Sequence, residues 1–144
     1  MAQVNPYLVF NGNCEEAFLF YQSVFGGEFP YMGKFKDMPT DENCPPISEE
    51  EADRVMHVSL PIGDTVLMGS DSTAQSGAVT VGNNISVSIN TASRAEADTI
   101  FNGLAVGGNA FMPMTNTFWG AYFGMLVDKF GINWMVNFDE NPSV

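Results

Sequence analysis

Residues 13–27 read NCEEAFLFYQSVFGG and residues 93–108 read SRAEADTIFNGLAVGG; laid one over the other, they show a chain built twice on one plan. Asn13 precedes Glu16 by three residues and Ser93 precedes Glu96 by three, so each stretch opens with the cap and N3 acid of a capping box. Behind the caps, Ala17, Phe20, Tyr21 and Val24 in one copy, and Ala97, Ile100, Phe101 and Leu104 in the other, recur at i, i+3, i+4, i+7. This spacing predicts two helices with one buried face each. Each ends on a glycine pair, Gly26-Gly27 and Gly107-Gly108, where a left-handed C-cap costs least.

Outward from the helices the copies continue. A β-prone run precedes each one, Val4 to Phe10 and Asn84 to Asn90, the latter alternating Ile85, Val87 and Ile89 with polar residues. Three candidate strands follow each helix: Glu28 to Lys36, Val55 to Leu60 and Thr65 to Ser70, then Ala110 to Pro113, Ala121 to Val127 and Ile132 to Phe138. The block from Gly63 to Asp71 lies opposite that from Gly131 to Asp139 at a constant offset. The expected fold class is therefore α+β, two tandem βαβββ modules forming a curved, cup-like mixed sheet. The first module spans 1–71, with an acidic loop at 37–53 where a short helix around Ser48 to Asp53 is expected. A linker at 72–83 leads to the second module at 84–144, and the two together are read as one domain.

Composition narrows the function classes. With 144 residues, 45% of them apolar, the chain has material for one sizeable core. A formal net charge of −12 repels nucleic-acid phosphates and anionic membranes, so neither is expected as a partner. The first residues carry no basic stretch followed by an apolar run, and no segment approaches the roughly 20 apolar residues of a membrane span. A cytoplasmic location is the resulting expectation. Cys14 and Cys44 are too few for a disulfide framework and lack zinc-site spacing, so both are read as free thiols. Cys14 falls in the first helical turn, where the helix dipole favours thiolate, although a nucleophilic role would need His57 as its base.

Several stretches carry a family resemblance: residues 5–13 (NPYLVFNGN), 20–27 (FYQSVFGG), 55–58 (VMHV) and 117–124 (TFWGAYFG). Across nearly the whole chain the sequence resembles the PhnB-like subgroup of the glyoxalase, bleomycin-resistance and extradiol dioxygenase (vicinal oxygen chelate) superfamily, the segment around Trp119 being the most specific. The resemblance implies sheets that curve into half-open cups and a homodimer. In metal-using members, His, Gln or Glu on the first and last strands of each module converge on a divalent ion. Here those strands offer Asn5, Tyr7, Asn84, Ser86, Ser88 and Asn90, then Thr65 to Ser70 and Ile132 to Phe138, with acids only at Asp71 and Asp139, read as turn-forming strand ends. None is a strong ligand set, so no metal and no other cofactor are expected. Some members are called demethylubiquinone methyltransferases, but no glycine-rich turn joins a strand to a helix here as nucleotide sites require.

His57, the only histidine, falls on an inner strand, as a core residue or a ligand donor. Phe118, Trp119, Tyr122, Phe123, Trp134 and four methionines crowd into residues 112–135; most are read as core, with Trp119 beside Gly120 at a strand mouth. The candidate ligand-binding set is Trp119, His57, Phe118, Tyr7 and Met68, with no catalytic residue. The reading is a protein that binds or sequesters a small planar or cationic molecule. The alternatives are a metal-dependent lyase, isomerase or dioxygenase, and an interaction module whose cup is filled by its own side chains.

Overall fold

The computed structural model describes residues 2–38 and 48–140, so Cys44 and the middle of the acidic loop lie outside the described residues. The chain divides between Thr80 and Val81 into two compact units. The first contains β1 (Tyr7–Phe10), α1 (Cys14–Phe25), β2 (Tyr31–Lys34), α2 (Glu49–Ala52), β3 (Val55–Ile62) and β4 (Thr65–Asp71). The second contains β5 (Val87–Asn90), α3 (Arg94–Ala105), β6 (Asn109–Asn116), β7 (Ala121–Val127) and β8 (Asn133–Asp139). Their sheets have the same plan, β1-β4-β3-β2 and β5-β8-β7-β6, with the first strand parallel to the last and every other pairing antiparallel. This is the repeated βαβββ module read from the helices, realised as two four-stranded mixed sheets.

Each helix covers one face of its own sheet. In α1 the buried residues are Cys14, Ala17, Phe18 and Tyr21, so the face is rotated from the expected one: Phe18 and Cys14 replace Phe20 and Val24. The sheet explains the rotation, because Gly69 of β4 leaves a hollow where a Cβ would come within 2.5 Å of the Phe18 ring. In α3, Ala97, Phe101 and Leu104 are buried as expected. Opposite them lie Val58, Leu60 and Leu67 in the first unit, and Leu126, Trp134 and Val136 in the second, all essentially inaccessible. Each such side chain contributes roughly 1.5–3 kcal/mol by leaving water. Trp134 also donates its indole Nε1–H to the buried Asp128 carboxylate at 2.8 Å, so its one polar atom is satisfied.

The N-terminus of α1 is held differently from the sequence expectation. Asn13 makes no side-chain cap hydrogen bond. Instead Asp71, at the end of β4, accepts the backbone N–H groups of Gly12 and Cys14 on Oδ1 and of Val55 on Oδ2, each at 2.9 Å. Ser93 does cap α3, accepting from the Glu96 N–H at 3.1 Å, while the Glu96 carboxylate takes the Ala92 N–H. The aligned block ending in Asp71 and Asp139 also changes register. The buried positions are Leu67, Gly69 and Asp71 in β4 but Trp134 and Val136 in β8, so a constant offset sets a buried residue over an open-face one.

Strand ends moved for local reasons. Pro6 has no N–H and β1 begins after it; positive-φ Gly26 and Gly27 with Pro30 delay β2, which a 3-10 turn at Phe35–Asp37 then stops. The short helix at 49–52 forms, with the Ser48 hydroxyl donating to Glu51 at 3.2 Å. Residues 72–79 are hydrogen-bonded to the first unit: the Ser72 carbonyl accepts from Arg54, and Asn11 exchanges two bonds with the Val79 backbone. Asp71→Ala should lower the unfolding free energy by at least about 3 kcal/mol, since three N–H groups lose a charged acceptor, and Asn13→Ala by less than about 0.5 kcal/mol; urea titrations of the two variants check both values.

Candidate functional site

With one face of each sheet packed under its helix, the opposite face carries whatever the fold does not require. On the first sheet the register puts Tyr7, Met68, Ser59 and Tyr31 in one row across the four strands, with His57 one step along beside Gly33. The Tyr7 hydroxyl lies 3.3 Å from His57 Nδ1. The Tyr7 and Tyr31 rings stand at 5.7 and 5.9 Å from the imidazole, tilted by 34° and 40°. Gly33 makes the cluster possible, because a Cβ there would come within 2.7 Å of Tyr31 Cζ. Both tyrosines are about half exposed, at 46% and 47%. The result is a half-exposed cluster of two tilted tyrosine rings around an imidazole.

The open face of the second sheet is of another kind. β6 and β7 are joined by the tight turn 117–120, closed by Thr117, whose N–H donates to the Ala121 carbonyl at 2.8 Å and whose hydroxyl accepts the Ala121 N–H at 3.1 Å. Gly120, at φ 89°, completes it in a conformation that glycine adopts without strain. The turn presents Phe118, 97% exposed, and Trp119, 59% exposed. Phe118 stands edge-on to Trp119 at 4.9 Å, and Trp119 packs against Phe123 of β7 at 6.2 Å. Across the sheet, Asn137 is the Cα partner of both Phe123 and Asn90. Its amide donates to Asn90 Oδ1 at 3.2 Å and to Asp139 Oδ1 at 3.1 Å.

Of the residues expected at a site, Tyr7, His57 and Met68 thus share the first sheet's open face, and Phe118 and Trp119 share the second unit's turn. Tyr31 and Asn137 were not among them. The pattern around Gly33 carries a signal for Tyr31, whereas Asn137 is disclosed only by its cross-strand partners. Cys14 is a free thiol, as expected, but not one poised as thiolate. Its side chain is fully buried, and burial first, then the Asp71 and Glu15 charges, push the thiol far above its ordinary range, opposing the helix-dipole effect. Buried under α1, it is no nucleophile for the open face.

The donors also fail to fit the metal that superfamily members can use. First-strand and last-strand open-face positions are Tyr7, Val9, Met68 and Ser70 in one unit, and Ser88, Asn90, Met135, Asn137 and Asp139 in the other. All but Asp139 are neutral, weak donors for a divalent ion, and two of the amides bond to each other, so a single carboxylate is too little to hold one. Among the described residues no three His, Cys, Asp or Glu side chains are grouped to hold a metal ion.

Comparison with known proteins places these features in a family. The model of the 3-demethylubiquinone-9 3-methyltransferase family matches residues 2–137. Protein YjdN of Escherichia coli is 32% identical over 139 residues, 93% of each chain. The structure of protein PA1353 from Pseudomonas aeruginosa superposes with a TM-score of 0.84 at 41% identity, covering 96% of this chain and 98% of that one. The PhnB protein from Bacillus cereus superposes with a TM-score of 0.71 at 27% identity, covering 95% and 99%. A glyoxalase/bleomycin resistance protein/dioxygenase family enzyme from Burkholderia phytofirmans, at 16% identity and a TM-score of 0.60 over 94% and 99%, shares the fold.

Burial of Cys14 gives a direct test. In a Cys44→Ser variant, iodoacetamide at pH 8 should label Cys14 in urea but leave it unmodified over hours in buffer; rapid labelling of folded protein would refute its assignment to the core.

Proposed function

The chain belongs to the 3-demethylubiquinone-9 3-methyltransferase family, to which its PhnB-like features point, and shares the fold of glyoxalase/bleomycin-resistance structures; from that premise we propose that it binds or sequesters a small planar or cationic molecule without a bound metal. The observation that carries this reading is the half-exposed Tyr7–His57–Tyr31 cluster on the open face of the first sheet. Nothing in the fold requires it there. Half-exposed aromatics around a few convergent polar groups are the usual make-up of a small-molecule site. The residues assigned to binding are Tyr7, His57 and Met68 on the first module and Phe118 and Trp119 on the second, the two modules acting as one domain.

The family's name is a weaker guide to the chemistry. A nucleotide-type methyl donor is commonly held by free N–H groups at a strand-to-helix turn. Here the corresponding turn between β1 and α1 is Asn11-Gly12-Asn13, and its Gly12 and Cys14 N–H groups already bond to Asp71. An anion would have to displace a buried carboxylate. The proposal extends to a homodimer, as sheet edges and open faces leave surface that pairing would cover, and to a cytoplasmic location. Among the described residues no helix is long and apolar enough to cross a membrane.

A thermal-shift screen of planar and cationic compounds should return stabilising ligands for protein purified without chelator. With such a ligand, His57→Gln should weaken binding about tenfold through the lost polar contact, and Trp119→Ala by roughly 1–3 kcal/mol through lost aromatic burial. If activity and binding instead track about one bound metal per chain by plasma mass spectrometry, the metal-dependent alternative replaces this reading. Light scattering at micromolar concentration should give twice the mass of a 144-residue chain, and a monomer mass would remove the dimer.

A further inference from the structure

The open face of the second sheet has a feature that a flat aromatic ligand alone would not need. Asp139 is exposed at the end of β8, and its Oδ1 is held by the Asn137 amide at 3.1 Å. Asn137 and Asp139 are two residues apart on one strand, so both side chains stand on the same face. The sheet register fixes what stands beside them. Asn137 is the partner of Phe123, and Asp139 is the partner of Ala121. Trp119 enters the turn two residues before Ala121 and reaches Phe123, 6.2 Å away between ring centroids. Ala121, with only a methyl group, leaves the indole room to pass over this part of the strand. The Gly120 carbonyl accepts the Glu140 N–H at 3.1 Å, tying the turn to the strand end that carries Asp139. One carboxylate and two aromatic rings are thereby fixed around the same corner of the sheet.

Among the described residues no cation answers this carboxylate. The basic group at the neighbouring strand end, Arg94, is engaged elsewhere: it bonds to Asn116 and Glu140 and covers the Tyr122 ring on the helix side, while Lys129 lies at the far end of the β7–β8 ladder. Asp139 has no ion-pair partner among the described residues. Aromatic faces attract cations through their quadrupole, and a carboxylate adds the countercharge. A net charge of −12 raises the local concentration of any cation further.

We propose that Trp119, Phe123 and Asp139 form a subsite for an organic ammonium group, with Asn137 positioning the carboxylate. The proposal rests on the small-molecule reading above and gives it a ligand class: a molecule with a quaternary or substituted ammonium head. A metal cation is the poorer match, since a single carboxylate and two amides bonded to one another offer too few hard donors. An organic cation needs no inner-shell ligands.

The two tryptophans make the test internal. Trp134 is buried with its Nε1–H bonded to Asp128, whereas Trp119 is 59% exposed, so their indole signals in a proton–nitrogen spectrum report the core and the subsite separately. Choline is the probe and 3,3-dimethylbutanol its neutral isostere. Choline should shift the Trp119 signal in a saturable way and leave Trp134 in place, and the isostere should bind at least about tenfold more weakly. Asp139→Asn should weaken choline about tenfold and also flatten the difference between choline and isostere, while an unmoved Trp134 signal certifies the fold. Raising sodium chloride from 20 to 500 mM should weaken choline but not the isostere. Equal affinity for choline and isostere, or an Asp139→Asn variant that binds choline as tightly as the parent, overturns the ammonium subsite but leaves the small-molecule reading intact. Failure of choline and the screened planar compounds alike overturns both.

Discussion

The first module depends on the Asp71 carboxylate. Three backbone N–H groups from the β1–α1 turn, the first residue of α1 and the start of β3 converge on it, so one side chain at the end of β4 sets the helix entry and the hairpin origin together. Its burial at 4% exposure would be costly for an unpaired charge, and the three donors are what make it tolerable. Gly12, at φ 113°, lets the chain turn back towards this carboxylate, while Arg54 secures the next carbonyl, that of Ser72. The same bonds determine what the N-terminus of α1 cannot do. Its Gly12 and Cys14 donors are engaged within the protein and are not free to hold an anion.

The second module reaches the same topology without that device. Ser93 caps its own helix, and the buried carboxylate, Asp128, lies instead in the turn between β7 and β8, accepting N–H groups from Phe130 and Ile132 and the indole of Trp134. With capping handled locally, no side chain at the end of β8 has to hold the helix start. Asp139 therefore remains at the open face, where its counterpart in sequence is buried under a helix. Two aspartates that a simple offset sets opposite one another serve opposite roles because a one-residue slip in a strand exchanges its faces.

This slip marks the boundary between what the sequence makes legible and what it hides. Helical period, glycine stops and the Ser93 cap are local, so both helices and the repeated order of strands are legible, whereas the Asn13 cap is replaced by the distant Asp71. The α1 face was misjudged because its partner is not local: Gly69, more than 40 residues on, makes the hollow that Phe18 fills. Cross-strand neighbours are hidden in the same way. His57 and Trp119 are visible as rare residues in suggestive positions, but Tyr31 joins His57 only through the β2–β3 register, and Asn137 joins Asn90 only once β5 pairs with β8. The environment of Cys14 is hidden too: at a fully buried helix start beside a carboxylate, desolvation and like charge outweigh the helix dipole that the first turn suggests.

The division of faces also accounts for the methionines. Met112, Met125 and Met135 are successive cross-strand partners on β6, β7 and β8, a row of thioethers on the open side of the second sheet that ends at Ser88. A row needed for stability would be expected to use branched side chains with fewer rotamers, as the helix side does with Leu126 and Val136. Methionine is flexible and polarisable, so this row makes an adaptable surface rather than a rigid one. The edge strand β6 is irregular in register on both sides of Met112 and carries Pro113, so the row can adjust at its margin without breaking the inner ladder of β7 and β8.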